Sequence, residues 1–241
     1  MRLRYIPLCH LPLGGVALAL VVVMGTGAAQ ATPMLPGLGA TVNVTSSQLA
    51  GSATATISFA GLPGGNSSLS VYISPELFTG TFGATNTPFS NLLAYCTDLY
   101  DYESTPTTYT VGYLTNSHQP GTDPAYALST AQVNNIASLI AANYSDQAAT
   151  QLAIWSVEYG NAFSFSNTSS TITQDVATEL AGLNGTAPPN EVLYQLQESG
   201  VQGFVYLDPI PEPASMAMLG VAMIGIGAVP RREAARRRPT A

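Results

Sequence analysis

The stretch "ATQLAIWSVEYG", residues 149–160, decides how this chain is read. Ala148, Gln151, Leu152, Trp155 and Tyr159 recur three and four apart and form one stripe of an amphipathic helix. The helix starts after Ser145 or Asp146, either of which can cap it, and stops at Gly160. Gln151 is the odd member of that stripe, one turn from Trp155. Its amide carries two N–H donors and a carbonyl, and leaving them unpaired against an apolar wall costs about 1–3 kcal/mol. A set of ordinary hydrogen bonds is one compensation; reaction of the amide with a nucleophile is another.

Outward from this helix the periods change. Upstream, "STAQVNNIASLIAANY" places Val133, Ile136, Ala137 and Ile140 at helical spacing behind Ser129 or Thr130 as N-cap. Downstream, a third helix is expected over 171–183. Before these helices the spacing is that of strands: 41–47, 53–59 and 69–73 alternate apolar and polar residues. Two further strands are read at 92–96 and 107–114. "EVLYQLQESGVQGFVYL" at 191–207 reads as a closing hairpin turning at "ESG". No internal repeat is visible. Strands, a helical insertion and a final strand pair predict an α+β domain on an antiparallel β-sheet or sandwich.

The two ends differ in kind from the middle. Residues 1–31 carry Arg2 and Arg4, an apolar run, and the triplet Ala29, Gln30, Ala31, the pattern of a secretory signal peptide. Residues 214–229 are uncharged and mainly apolar, and five arginines follow them. That run is slightly short of the roughly twenty residues that span a bilayer comfortably, and the arginines would hold its end on the cytoplasmic side as a transmembrane anchor helix. Three parts result: a signal at 1–31, an exported domain at 32–210, and a sorting and anchoring segment at 211–241.

All seven basic residues lie outside 32–210, whereas only Glu212 and Glu233 of the fourteen acidic ones do, so the exported domain has a net charge of −12. A typical domain of that length carries roughly twenty Lys and Arg. Such a surface has nothing with which to grip phosphates, and nucleic acid is excluded as a partner. One cysteine, Cys96, and one histidine, His118, remain after removal of the signal. They cannot fill a zinc shell, and no spaced ligand cluster or cofactor motif is present.

Both unusual features carry a resemblance. Pro211, Glu212 and Pro213, then Ala214 and Ser215, the apolar stretch and the arginine-rich terminus resemble the PEP-CTERM sorting signal of exported bacterial proteins. That likeness implies an exosortase-type processing enzyme as a partner, contact with the membrane through the apolar helix before processing, and delivery to the envelope surface or an exopolysaccharide matrix. Tyr95, Cys96 and Asp98 as "YC-x-D", followed by Thr150, Gln151, Ala153, Ile154 and Trp155 as "TQ-x-AIW", resemble the thioester domain of bacterial surface adhesins, also called the TQXA family. The similarity implies an internal thioester between Cys96 and Gln151. In that family the bond is opened by a nucleophile on a target, commonly an amine, which becomes joined to the glutamine side chain in adhesion.

A domain without lysine has no side-chain amine to consume such a bond, and a thioester shelters a lone exported sulfur from oxidation. Around the pair, Trp155 is expected to shield the bond, and Asp98 to orient a loop while disfavouring the thiolate. Glu158 reads as a solvent-facing carboxylate, with a proton shuttle as the alternative. Two rival functions stand beside the adhesive one. In an enzyme Cys96 would be the nucleophile and His118 its base; a polar loop is a poor setting for that histidine, and the expectation is no enzyme. The other is a non-reactive structural protein of the polysaccharide matrix, which keeps the motif as a fold element.

Overall fold

The computed structural model describes residues 37–60, 62–116 and 127–209. The signal at 1–31, His118, and the sorting segment at 211–241 with its apolar run at 214–229 lie outside the described residues. Among the described residues no helix is long and apolar enough to cross a membrane.

Among the described residues, nine strands and three α-helices follow in the order β1 (Thr41–Leu49), β2 (Thr54–Ser58), β3 (Ser68–Tyr72), β4 (Glu76–Phe82), β5 (Thr87–Cys96), β6 (Thr107–Tyr113), α1 (Thr130–Ala142), α2 (Gln147–Tyr159), β7 (Ser164–Ser166), α3 (Ser170–Ala181), β8 (Glu191–Glu198) and β9 (Val201–Pro209). Six of the strands close an antiparallel barrel in the order β1-β4-β5-β9-β8-β6, with β6 pairing back to β1. The other three form a separate sheet, β3-β2-β7. The expected single sheet or sandwich is thus a closed barrel plus a small sheet, and the helices are inserted between β6 and β8 as the change of period predicts.

The alternating strands turn their apolar residues inward. Phe78 of β4, Tyr109 of β6 and Phe204 of β9 are fully or almost fully buried and meet across the barrel, Phe78 and Phe204 edge to face with centroids 4.8 Å apart. Each such side chain contributes about 1.5–3 kcal/mol through its removal from water. Gly80 of β4 stands opposite Val44 of β1, beside an irregularity in both of that strand's ladders. A Cβ there would lie 1.9 Å from the Asn43 carbonyl oxygen, so only glycine fits.

Ser129 caps α1 through a full capping box with Gln132. The Asp146 carboxylate caps α2 by accepting from the Ala148 and Ala149 amides, each at 3.1 Å. Ten of the thirteen residues of α2 are buried, far more than a surface helix shows, because α1 and α3 both pack on it. Phe59, just after β2, packs tilted against Tyr159 at 4.5 Å and edge to face against Tyr100 at 5.2 Å, which brings the small sheet against the last turn of α2.

Candidate functional site

β5 ends at Cys96, paired opposite Phe204 of β9. Where its ladder would continue, the Gln151 side chain takes the place of a neighbouring strand. The Cys96 N–H donates to Gln151 Oε1 at 2.9 Å, and Gln151 Nε2 donates to the Cys96 carbonyl at 2.8 Å. Two residues 55 apart in sequence are thereby joined by a reciprocal pair of hydrogen bonds. Gln151 is 1% exposed and Cys96 8%. The question raised by a polar side chain in an apolar stripe has its answer here: its partner is the backbone of the cysteine.

The strand stops because the next residues are fastened elsewhere. The Tyr159 hydroxyl donates to the Thr97 carbonyl at 3.0 Å and accepts from the Leu99 N–H at 3.1 Å. Asp98 Oδ1 accepts from the Tyr100 N–H at 2.8 Å, the loop-orienting role expected of it. Gln202 Nε2 holds the Asp98 carbonyl at 3.0 Å. The Cys96 thiol donates to that same carbonyl at 3.3 Å.

Electrostatics keep the sulfur protonated. Burial pushes the Cys96 pKa well above the ordinary thiol value, and the carboxylates of Asp98 and Glu158 push it further. The Asp98 backbone and the indole N–H of Trp155 oppose that rise. The indole N–H makes no hydrogen bond of ordinary geometry among the described residues. Trp155 itself is 3% exposed and packs on Phe163, with centroids 6.0 Å apart.

The remaining motif residues surround this pair. Ala153 and Ile154 are fully buried in α2. Tyr95 is buried on β5, and burial, then the Glu179 carboxylate, raise its pKa to about 12. Thr150 donates from Oγ1 to Glu179 Oε1 at 3.3 Å, which ties α2 to α3. Glu158 differs from the expectation. It is buried at 6% exposure instead of facing solvent, and neither carboxyl oxygen has a hydrogen-bond partner among the described residues. Its position seven residues after Gln151 already put it on the stripe, and its charge alone argued for the outside.

Cys96, Gln151 and Trp155 line a cavity of about 660 Å³. Ile57, Leu69 and Val71 of the small sheet supply apolar lining, and Glu76, Asp101 and Glu103 supply carboxyl groups. Glu76 and Glu103 share a hydrogen bond, and Ser47 donates to Glu103. Burial, then the Glu103 charge, raise the Glu76 pKa to about 7. Among the described residues no group of three His, Cys, Asp or Glu is arranged to hold a metal ion.

Comparisons with known proteins find two kinds of likeness. Residues 209–232 match the PEP-CTERM protein-sorting motif, which contains the predicted Pro211, Glu212 and Pro213. No curated protein matches the chain. Among solved structures, the N-terminal thioester domain of a surface protein from Clostridium perfringens, as its Cys138Ala mutant, aligns at 14% identity with a TM-score of 0.42, over 56% of this chain and 89% of that one. The same domain without the mutation aligns at 12% identity and 0.40, over 63% and 97%. The chain therefore carries a PEP-CTERM sorting motif, which implies export and an exosortase-type processing enzyme, and its structural neighbours are thioester domains of a bacterial surface protein.

Proposed function

We propose that the exported domain forms an internal thioester between Cys96 and Gln151 and uses it to capture amine nucleophiles covalently on a surface or matrix target. The observation that carries this reading is the reciprocal hydrogen bonding that brings the Gln151 carboxamide onto the Cys96 residue. Closure forms the bond between Cys96 Sγ and Gln151 Cδ and breaks the Cδ–Nε2 bond. The thiol proton becomes the third hydrogen of the departing ammonia. The Cys96 N–H already faces the oxygen on which negative charge develops in the tetrahedral intermediate, and needs no reorganisation to stabilise it.

An incoming amine reverses the exchange. Its nitrogen bonds to Cδ, the C–S bond breaks, and the amine proton balances the thiol that is released. A cavity lined by Glu76, Asp101 and Glu103, in a domain of net charge −12, favours cationic ammonium compounds over anions. Burial of Gln151 and Trp155 beside the cavity supports a bond with little exposure to bulk solvent.

The test is incubation of the full chain with methylamine, followed by peptide mapping. Capture predicts a methylamide on Gln151 and a Cys96 thiol that becomes alkylatable only after the reaction. A second reading draws on the same geometry: the amide is already satisfied by the Cys96 backbone, as suits a non-reactive structural protein of the matrix. That reading predicts no adduct, and a Cys96 thiol that denaturation alone exposes to alkylation.

A further inference from the structure

The cavity that Cys96, Gln151 and Trp155 line has a volume of about 660 Å³, far more than a single alkylammonium chain fills. Two exposed tyrosines stand on it. Tyr72, the last residue of β3, is 58% exposed, and Tyr102, from the loop after β5, is 61% exposed; both belong to the lining. Their backbones are fixed. Tyr72 pairs with Thr54 in the small sheet, and the Tyr102 carbonyl accepts from the Gln202 N–H at 3.2 Å. An aromatic ring held in water beside a cavity offers an apolar face for another ring to cover.

Much of the remaining lining consists of serine, glutamine and carboxyl side chains, among them Gln202, Glu76 and Glu103. The two hydrogen-bonded carboxyl groups lie near the reacting pair. Glu76 stands opposite Ala94 in the β4–β5 ladder, and Cys96 is two residues farther along the same face of β5. Diagonal neighbours of that kind are about 7–8 Å apart. A ligand whose amine reaches Gln151 therefore extends over carboxyl groups and tyrosine rings. A sugar chain has hydroxyls for the former and ring faces for the latter, whereas a lysine stem would leave the polar lining without partners.

The basicity of the lining points the same way. Among the described residues no lysine, arginine or histidine borders the cavity, so nothing more basic than a carboxylate is there to free an ammonium of its proton. A lysine amine, with a pKa of about 10.4, is almost wholly protonated at neutral pH. An amine on a sugar ring is a weaker base, because the neighbouring oxygens withdraw electrons, and part of it is already nucleophilic at that pH.

We propose that the cavity recognises a glycan bearing free amino groups, and that a ring amine of that glycan is the nucleophile captured at Gln151. The inference rests on the thioester reading and names its target class. On capture the amine nitrogen bonds to Gln151 Cδ, the bond from Cδ to the Cys96 sulfur breaks, and the proton lost by nitrogen passes to the sulfur. Tyr72 and Tyr102 cover sugar rings, while Glu76 and Glu103 take hydroxyls or further ammonium groups of the chain.

The experiment incubates the full chain at neutral pH with one amine at a time and follows adducts by intact mass. The probes are a linear trimer of glucosamine, an acetylated lysine peptide amide, and methylamine. The fully N-acetylated trimer, which has no amine to give, serves as a competitor. Capture of the glucosamine trimer is expected to be about 10-fold faster than that of the lysine peptide, and the acetylated trimer should slow methylamine capture. Y72A and Y102A should each lower the ratio of the trimer rate to the methylamine rate, by about 10-fold. A lysine peptide captured as fast as the trimer would assign the cavity to protein targets and overturn the proposal. An unchanged ratio in both variants, or a competitor without effect, would overturn it as well, with the methylamine adduct showing that the thioester itself stands. If the unsubstituted chain shows no ammonia loss and takes up no methylamine, the thioester reading fails and the capture of glycans with it. Where a variant does not fold, the competitor and the lysine peptide decide on the unsubstituted chain.

Discussion

At Tyr159 one hydroxyl does two jobs, and its removal gives a clear prediction. It is the donor to the Thr97 carbonyl and the acceptor from the Leu99 N–H, both buried. Tyr159→Phe keeps the ring and its packing against Phe59 but orphans both backbone groups. A loss of about 1–3 kcal/mol in unfolding free energy is expected, read from urea denaturation. The loop that begins at Thr97 would loosen with it. The residue-scale lesson concerns legibility. Gln151 was conspicuous because a polar group interrupts an apolar stripe, and Asp98 because it stands beside the cysteine. Glu158 was misplaced because charge outweighed position, although the helical period had already assigned it to the inner face.

Among the elements, β4 shows why a strand can be invisible. Its inward face is Glu76, Phe78, Gly80 and Phe82, and its outward face carries Leu77, so the apolar alternation is broken on both sides. Glycine at position 80 is there for close approach of β1, which no local pattern can announce. Gly80→Ala forces a Cβ into the Asn43 carbonyl. A destabilisation of about 1–3 kcal/mol is expected, measured as a lower urea midpoint with an unchanged slope. By contrast, α1, α2 and α3 were legible almost to the residue. Ser129, Asp146 and Ser169 supply the capping side chains at their starts, and short-range chemistry of that kind is written in adjacent letters. β7, three residues long, pairs with β2 more than a hundred positions away and left no comparable mark.

On the scale of the molecule, closure of the barrel depends on β6 meeting both β1 and β8, pairings that periodicity does not specify. The alternation was read correctly, but the partners were open between a sheet and a sandwich. The meeting of Cys96 and Gln151 likewise came from a resemblance of motifs, and geometry now gives it a physical form. Acidity acts on the whole fold as well. Glu76 and Glu179 have pKa values raised to about 7, in each case chiefly by burial, and burial also raises that of Glu158 well above the ordinary carboxyl value. A carboxyl whose pKa is higher folded than unfolded binds its proton more tightly in the native state. The stability it supplies is complete below the unfolded value of 4.5 and is lost as pH rises through about 7. Mutual repulsion within a domain of charge −12 acts in the same direction. The thermal midpoint is therefore expected to fall from mildly acidic to mildly alkaline pH, and Glu179→Gln should flatten part of that fall. A midpoint that rises over the same range would contradict the burial of these groups as neutral acids.

Everything functional turns on whether sulfur and acyl carbon join. The most direct measurement is the intact mass of the denatured chain beside that of Cys96→Ala, after allowance for the substitution itself. The account predicts that the unsubstituted protein is lighter by one ammonia and that the deficit vanishes in the variant. Equal masses would contradict it.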